Sequence, residues 1–179
     1  MNQKKKLGLL LALPLLFPML ALWGCGYTLV GEGSTQNWAH ASVYLRGKTL
    51  AINTFTSEVD EPGVENIVTT YVKNEFVKDG RVKVVAGDAD YTLNGRVVTY
   101  HKETIALNKA GDTAQYRLTV GVDLVLTDRN GKVVWSAKDL RESQEYQSYR
   151  EIERSKGSER DALREASRDL AQMVTGLLL

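Results

Sequence analysis

Cysteine is almost missing from this chain: Cys25 is the only one in 179 residues. No disulfide can form within the chain, so an oxidising compartment must be tolerated on core packing alone. The histidines are His40 and His101, each without a second histidine or cysteine nearby, and the spacing of a metal cluster is lacking. No serine sits in a Gly-x-Ser-x-Gly elbow. Gly31-x-Gly33 has no third glycine and no strand-to-helix context for phosphate. The acidic groups Asp88/Asp90 and Glu58/Asp60/Glu61 read as solvated loop and helix-start charges, since acids favour helix N-termini. Charge is nearly balanced, with 23 basic and 22 acidic side chains, which excludes the electrostatic footprint of a nucleic-acid binder. Internal repeats and low-complexity segments are also lacking. These absences argue against an enzyme, and no cofactor or metal is implied.

What is present begins at the N-terminus. Lys4, Lys5 and Lys6 precede an apolar run from Leu7 to Leu22, followed by Trp23-Gly24-Cys25. A basic region, an apolar region and a small residue at the cut form a secretory-type signal. Gly24 before the cysteine and Leu22 three before it resemble the bacterial lipobox, in which the cysteine is acylated and becomes the first mature residue. Trp23 departs from that pattern, which usually has a small or β-branched residue there. The alternatives are an uncleaved signal anchor or an ordinary signal with a chance cysteine. Pro14, Pro18 and a run shorter than the ~20 residues of a spanning helix argue against the anchor. We therefore expect a signal at 1–24, lipidation at Cys25, a lipid-anchored tether over 25–47 and one domain over 48–179. Removal of the signal leaves 155 residues with 20 basic and 22 acidic side chains, enough for one hydrophobic core. Several acyl chains on one cysteine make the anchoring stable where a single chain would be marginal.

The tether is glycine-rich and aperiodic, although Trp38 and Tyr44 offer groups that could dock against the domain. Lys48–Thr54 reads as a short strand with Leu50 and Ile52 on one face. Pro62 suits an early helical position. Ile67, Val68, Tyr71, Val72 and Phe76 then form one buried helical stripe, and Asp79-Gly80 ends it. Arg81–Val85 is a second strand and completes a β-α-β unit. Ala89–Thr99 alternates as a third. Tyr116, Leu118, Val120, Val122, Leu124 and Leu126 occupy every second position of a strand with one core face and one largely polar face. Asn130-Gly131 predicts a type I′ turn into Lys132–Tyr146, which past Leu140 leaves the sheet or forms an exposed edge. Ser158 is the expected cap of a last helix, with Ala162, Leu163, Ala166, Leu170, Met173, Val174 and Leu177 inward. The expected fold is a two-layer α/β sandwich, a mixed four- to five-stranded sheet with two helices on one face, in the order β-α-β-β-β-β-α.

Two features read as binding surface. One is the loop Asn108–Thr113 with its cation Lys109. The other is Arg150, Arg154, Lys156 and Arg160, interleaved with Glu151, Glu153 and Glu159. A mixed-charge run also reads as a solvated linker. Either cluster has groups able to make charge-assisted bonds to phosphate on an anionic lipid head group.

The order of several short motifs resembles the LPS-assembly lipoprotein family, LptE. They are Gly24-Cys25-Gly26-Tyr27, Pro62-Gly63-Val64-Glu65, Glu75-Phe76 with Asp79-Gly80-Arg81, the run Gly111–Val120, and Val134-Trp135 after the Asn-Gly turn. The resemblance implies a lipoprotein at the periplasmic face of the outer membrane, anchored in its lipid through acylated Cys25. It implies a plug and assembly factor for the β-barrel LPS translocon LptD, and binding of lipopolysaccharide during delivery to the outer leaflet. Lys109 occupies a loop position where family members tend to carry a basic residue suited to LPS phosphate; Arg154 and Lys156 are the further candidates. Gly26 after the cysteine is similar to lipoproteins sorted to the outer membrane. The alternative is a structural or scaffolding envelope lipoprotein without LPS contact.

Overall fold

The computed structural model describes residues 45–110 and 113–179. The signal, Cys25 and nearly all of the tether lie outside the described residues. Strands β1 (Thr49–Ile52), β2 (Thr56–Ser57), β3 (Lys83–Val85), β4 (Tyr91–Leu107), β5 (Thr113–Asp128) and β6 (Val133–Gln147) form one sheet of six strands. The order is β3-β1-β4-β5-β6, with β2 paired to β4. β1 runs parallel to both β3 and β4, while β4, β5 and β6 are antiparallel, so the sheet is mixed. Helices α1 (Val64–Asp79) and α2 (Ile152–Leu178) complete the two-layer sandwich. Six strands replace the expected four to five, because β2 is a two-residue pairing too short to have a periodicity.

The core lies between the helices and one sheet face. Val64, Val68, Val72 and Phe76 of α1 are fully buried, as are Ala166, Leu170, Val174 and Leu178 of α2. They meet Leu93, Val97, Leu118, Val120, Val122, Leu124 and Leu126, the inward set of the period-2 strands. Leu45, within the stretch read as tether, is also fully buried in this cluster. Pro62 lies ahead of α1 and not at an early helical position, because Gly63 occupies the N-cap; Gly80 closes the other end at φ 74°, donating to the Phe76 carbonyl at 3.2 Å.

Two connections differ from expectation. In the β5–β6 turn Gly131 is left-handed (φ 78°) but Asn130 is not, so the turn is not type I′. Gly131 N–H donates to Asp128 O at 3.0 Å and Asp128 N–H to Lys132 O at 2.9 Å, closing the hairpin on a glycine bulge. The Asp128 carboxylate accepts the N–H groups of Asn130 and Lys132, and this local bonding favours the observed turn. Helix α2 begins at Ile152, six residues before the expected Ser158 cap. Ser155 Oγ fixes that extra turn, accepting Tyr149 N–H and donating to Tyr149 O, both at 2.7 Å.

Past Leu140, β6 remains in the sheet as its edge strand, paired with β5 as far as Gln115↔Gln147. β4 likewise runs eight residues beyond Thr99. Among the described residues no helix is long and apolar enough to cross a membrane.

Candidate ligand-binding end of the sandwich

A bulge builds the site. Between Val97 and Thr99 the β4–β5 register slips, so Val97 pairs with Val122 but Thr99 pairs with Gly121. Val98 is the extra residue, and the side chains of β4 from Thr99 to Thr104 change face, until a second slip before Ala106. Tyr100 and Lys102 thereby stand opposite the buried Val120 and Leu118 on the helix side, where strict alternation would have put His101.

Above them lies the first third of α2. Glu159 Oε1 accepts the Tyr100 hydroxyl at 2.7 Å and Lys102 Nζ at 2.9 Å. Burial works against ionisation of Glu159 and is the largest single influence. The bonds from Tyr100 and Lys102, with the Lys102 charge, outweigh it and hold the carboxyl below its ordinary range. Burial, then Glu159, raises the Tyr100 hydroxyl far above the usual phenol range, and Tyr146 shifts the same way. Both remain neutral donors at any physiological pH.

Beside this network is a cavity of about 290 Å³. Tyr116, Tyr146 and Tyr149 line it with Lys102, Lys156 and Glu159. Tyr116 and Tyr146 stack at 5.4 Å between ring centroids. The Arg154 guanidinium lies 3.8 Å from the centre of the Tyr149 ring, a cation–π contact at the rim.

The candidate cations therefore separate. Lys156 lines the cavity, and Arg154 covers one of its aromatic walls. Both belong to α2 and not to a linker, because its first turns extend the helix while burying little. Lys109 is exposed in the β4–β5 turn and does not line the cavity. The backbone bond from Ser148 N–H to Ala114 O brings the start of α2 to the same end of the sheet as that turn. Gly111 and Asp112 of the loop lie outside the described residues. Sequence reasoning missed Lys102, Glu159 and the tyrosine walls. Tyr116 and Tyr146 did carry a signal, since both stand at inward positions yet bring a hydroxyl.

Among the described residues no helix covers the opposite sheet face, which is largely polar apart from an apolar patch at Val125 and the exposed Val133. Arg96 reaches Glu58 at 2.6 Å and Asp123 at 2.9 Å. Arg117 reaches Glu145 at 2.9 Å, and Thr119 pairs with Ser143 at 2.8 Å. The Arg96 bond holds the Asp123 carboxyl below the usual range. Exposed pairs of this kind add little stability, so they matter as surface chemistry. Among the described residues no group of three or more His, Cys, Asp or Glu is placed to hold a metal.

This mixed sheet under two helices is a fold that solved lipoproteins share. Rare lipoprotein B from Shewanella oneidensis aligns with a TM-score of 0.51 at 17% identity, over 72% of this chain and 91% of that one. An uncharacterized lipoprotein B from Nitrosomonas europaea aligns with a TM-score of 0.51 at 16% identity, over 80% and 86%. At those identities the likeness concerns the fold alone. The family model for lipopolysaccharide assembly, LptE, matches residues 47–175, and the chain belongs to that family. LptE is a non-catalytic lipoprotein family of LPS assembly in the Gram-negative envelope. A comparison with curated proteins finds no match.

Proposed function

We propose that the chain is an outer-membrane lipoprotein, acylated on Cys25, that plugs the LptD β-barrel and supports its assembly. In this reading it also binds lipopolysaccharide on its way to the outer leaflet, at the periplasmic face. The observation that carries the reading is the family match across the whole helix-and-sheet unit, residues 47–175. The uncovered sheet face supports it physically: its cross-strand ion pairs and hydroxyls suit the polar lumen of a large barrel. Residues 1–24 act as the signal and 25–47 as the tether. The anchor raises local concentration at the membrane, so modest contacts suffice for docking.

Lys109, Arg154 and Lys156 are the cations proposed to meet LPS phosphate, all three at one end of the sandwich. Charge reversal tests this. Lys109→Glu combined with Lys156→Glu should weaken LPS binding about tenfold or more, while thermal unfolding of the purified chain changes little. Unchanged LPS affinity in the double variant removes these residues from the site. A wild-type chain that binds no LPS leaves the scaffolding role without LPS contact.

A further inference from the structure

The cavity between α2 and the far ends of β4, β5 and β6 has more chemistry than phosphate binding needs. A patch that takes only an anion requires cations and little else. Here three tyrosines, a carboxylate and two ammonium groups line a half-open cleft of about 290 Å³, a space suited to one sugar ring. Aromatic walls give a pyranose an apolar surface for its C–H groups, and a carboxylate accepts from its hydroxyls. Lys102 and Lys156 place positive charge on the same lining.

The aromatic walls, Glu159 and Lys102 are fixed before any ligand arrives. Tyr116 and Tyr146 brace each other at 5.4 Å, and Arg154 holds Tyr149 from outside. Ser155 Oγ clamps the Tyr149 backbone at both its N–H and its carbonyl. Glu159 is ionised and oriented by Tyr100 and Lys102, with both bonds falling on Oε1. Walls ordered in advance lower the entropy lost on binding. The slip at Val98 is what turns Lys102 into this cavity, so the backbone irregularity and the lining form one device.

We propose that this cavity is a saccharide subsite that takes one phosphorylated sugar ring, with the tyrosines as walls, Glu159 accepting hydroxyls and Lys102 beside the phosphate. The inference rests on the LPS-binding reading and adds to it the part of the ligand held here, namely the sugar and not only its charge.

The test is calorimetric titration of the full acylated chain in detergent. The probes are a deacylated, bis-phosphorylated glucosamine disaccharide, the same disaccharide without phosphate, and inorganic phosphate. The phosphorylated disaccharide should bind tightest. Tyr149→Ala and Lys102→Met should each weaken it about tenfold, whereas Tyr149→Phe stays within about threefold because the ring is kept. Lys132→Glu, at the opposite end of the β5–β6 hairpin, should leave it unchanged. Thermal unfolding of each variant reports whether it folds; if Tyr149→Ala does not, Lys102→Met and Glu159→Gln carry the comparison. Inorganic phosphate binding as tightly as the phosphorylated disaccharide overturns the subsite. So does intact LPS binding with no disaccharide binding, an outcome that leaves the LPS reading standing. A wild-type chain that binds neither overturns both.

Discussion

At Gly95 a methyl group has nowhere to go. A Cβ there would lie 2.6 Å from three atoms of the Phe55 ring. Phe55 cannot retreat, since it is buried and its N–H is held by Thr69 Oγ1 at 2.9 Å. That hydroxyl in turn donates to Glu65 O inside α1, so the ring ties helix to sheet. Gly95→Ala should therefore cost about 1–3 kcal/mol as overpacking, read as a lower denaturation midpoint with an unchanged slope. Gly157 is the contrary case: it stands within α2 with open space where a Cβ would be. Gly157→Ala should stabilise by roughly 0.5–1 kcal/mol by relieving backbone entropy, measured by the same denaturation. Glu159 sets a pH dependence. Its folded carboxyl titrates below the unfolded value, so its contribution is complete above the unfolded pKa of about 4.3 and is lost as pH falls through the folded value. Glu159→Gln removes that part of the acid sensitivity; equal acid-unfolding profiles for variant and wild type would contradict the network drawn around Tyr100 and Lys102.

Among the elements, those with strong periodicity were legible and those built by irregularity were not. Helix α1 falls where the Ile67–Phe76 stripe and Gly80 put it, and the inward set of β5 is the alternating set from Tyr116 to Leu126. The proposed binding end was half legible. Lys109, Arg154 and Lys156 could be singled out by charge, but Lys102 and Glu159 could not be paired. Their meeting depends on the slip at Val98, and alternation alone assigns β4 from Thr99 to Thr104 to the wrong face. The start of α2 was hidden for a related reason. Its first turns are charged, exposed and interrupted by Gly157, with no side-chain cap at Glu151. Ser155 supplies the missing restraint from within the helix. Ser155→Ala should cost about 1–2 kcal/mol and open the backbone amides of the first α2 turns, seen as faster hydrogen exchange there with the rest of the helix unchanged.

For the whole molecule, the two sheet faces have separate tasks. One is covered by helices and holds the core, while the other is a mosaic of cross-strand ion pairs and hydroxyls. The ion-paired part of that face suits a wet, polar enclosure. The proposed binding end lies between the start of α2 and the β4–β5 turn. The acylation proposed at Cys25 is what gives such a molecule its address. Labelled palmitate should enter the wild-type chain and not Cys25→Ser, and equal labelling of the two would move the anchor elsewhere.

The most direct test of contact with the translocon is retrieval of the tagged, full-length chain from outer membranes in mild detergent, with the co-eluting species identified by mass. A large outer-membrane barrel of the LptD type should come with it in near-stoichiometric amount, together with lipopolysaccharide. Recovery of the chain alone, from membranes whose LptD is intact, would contradict the account.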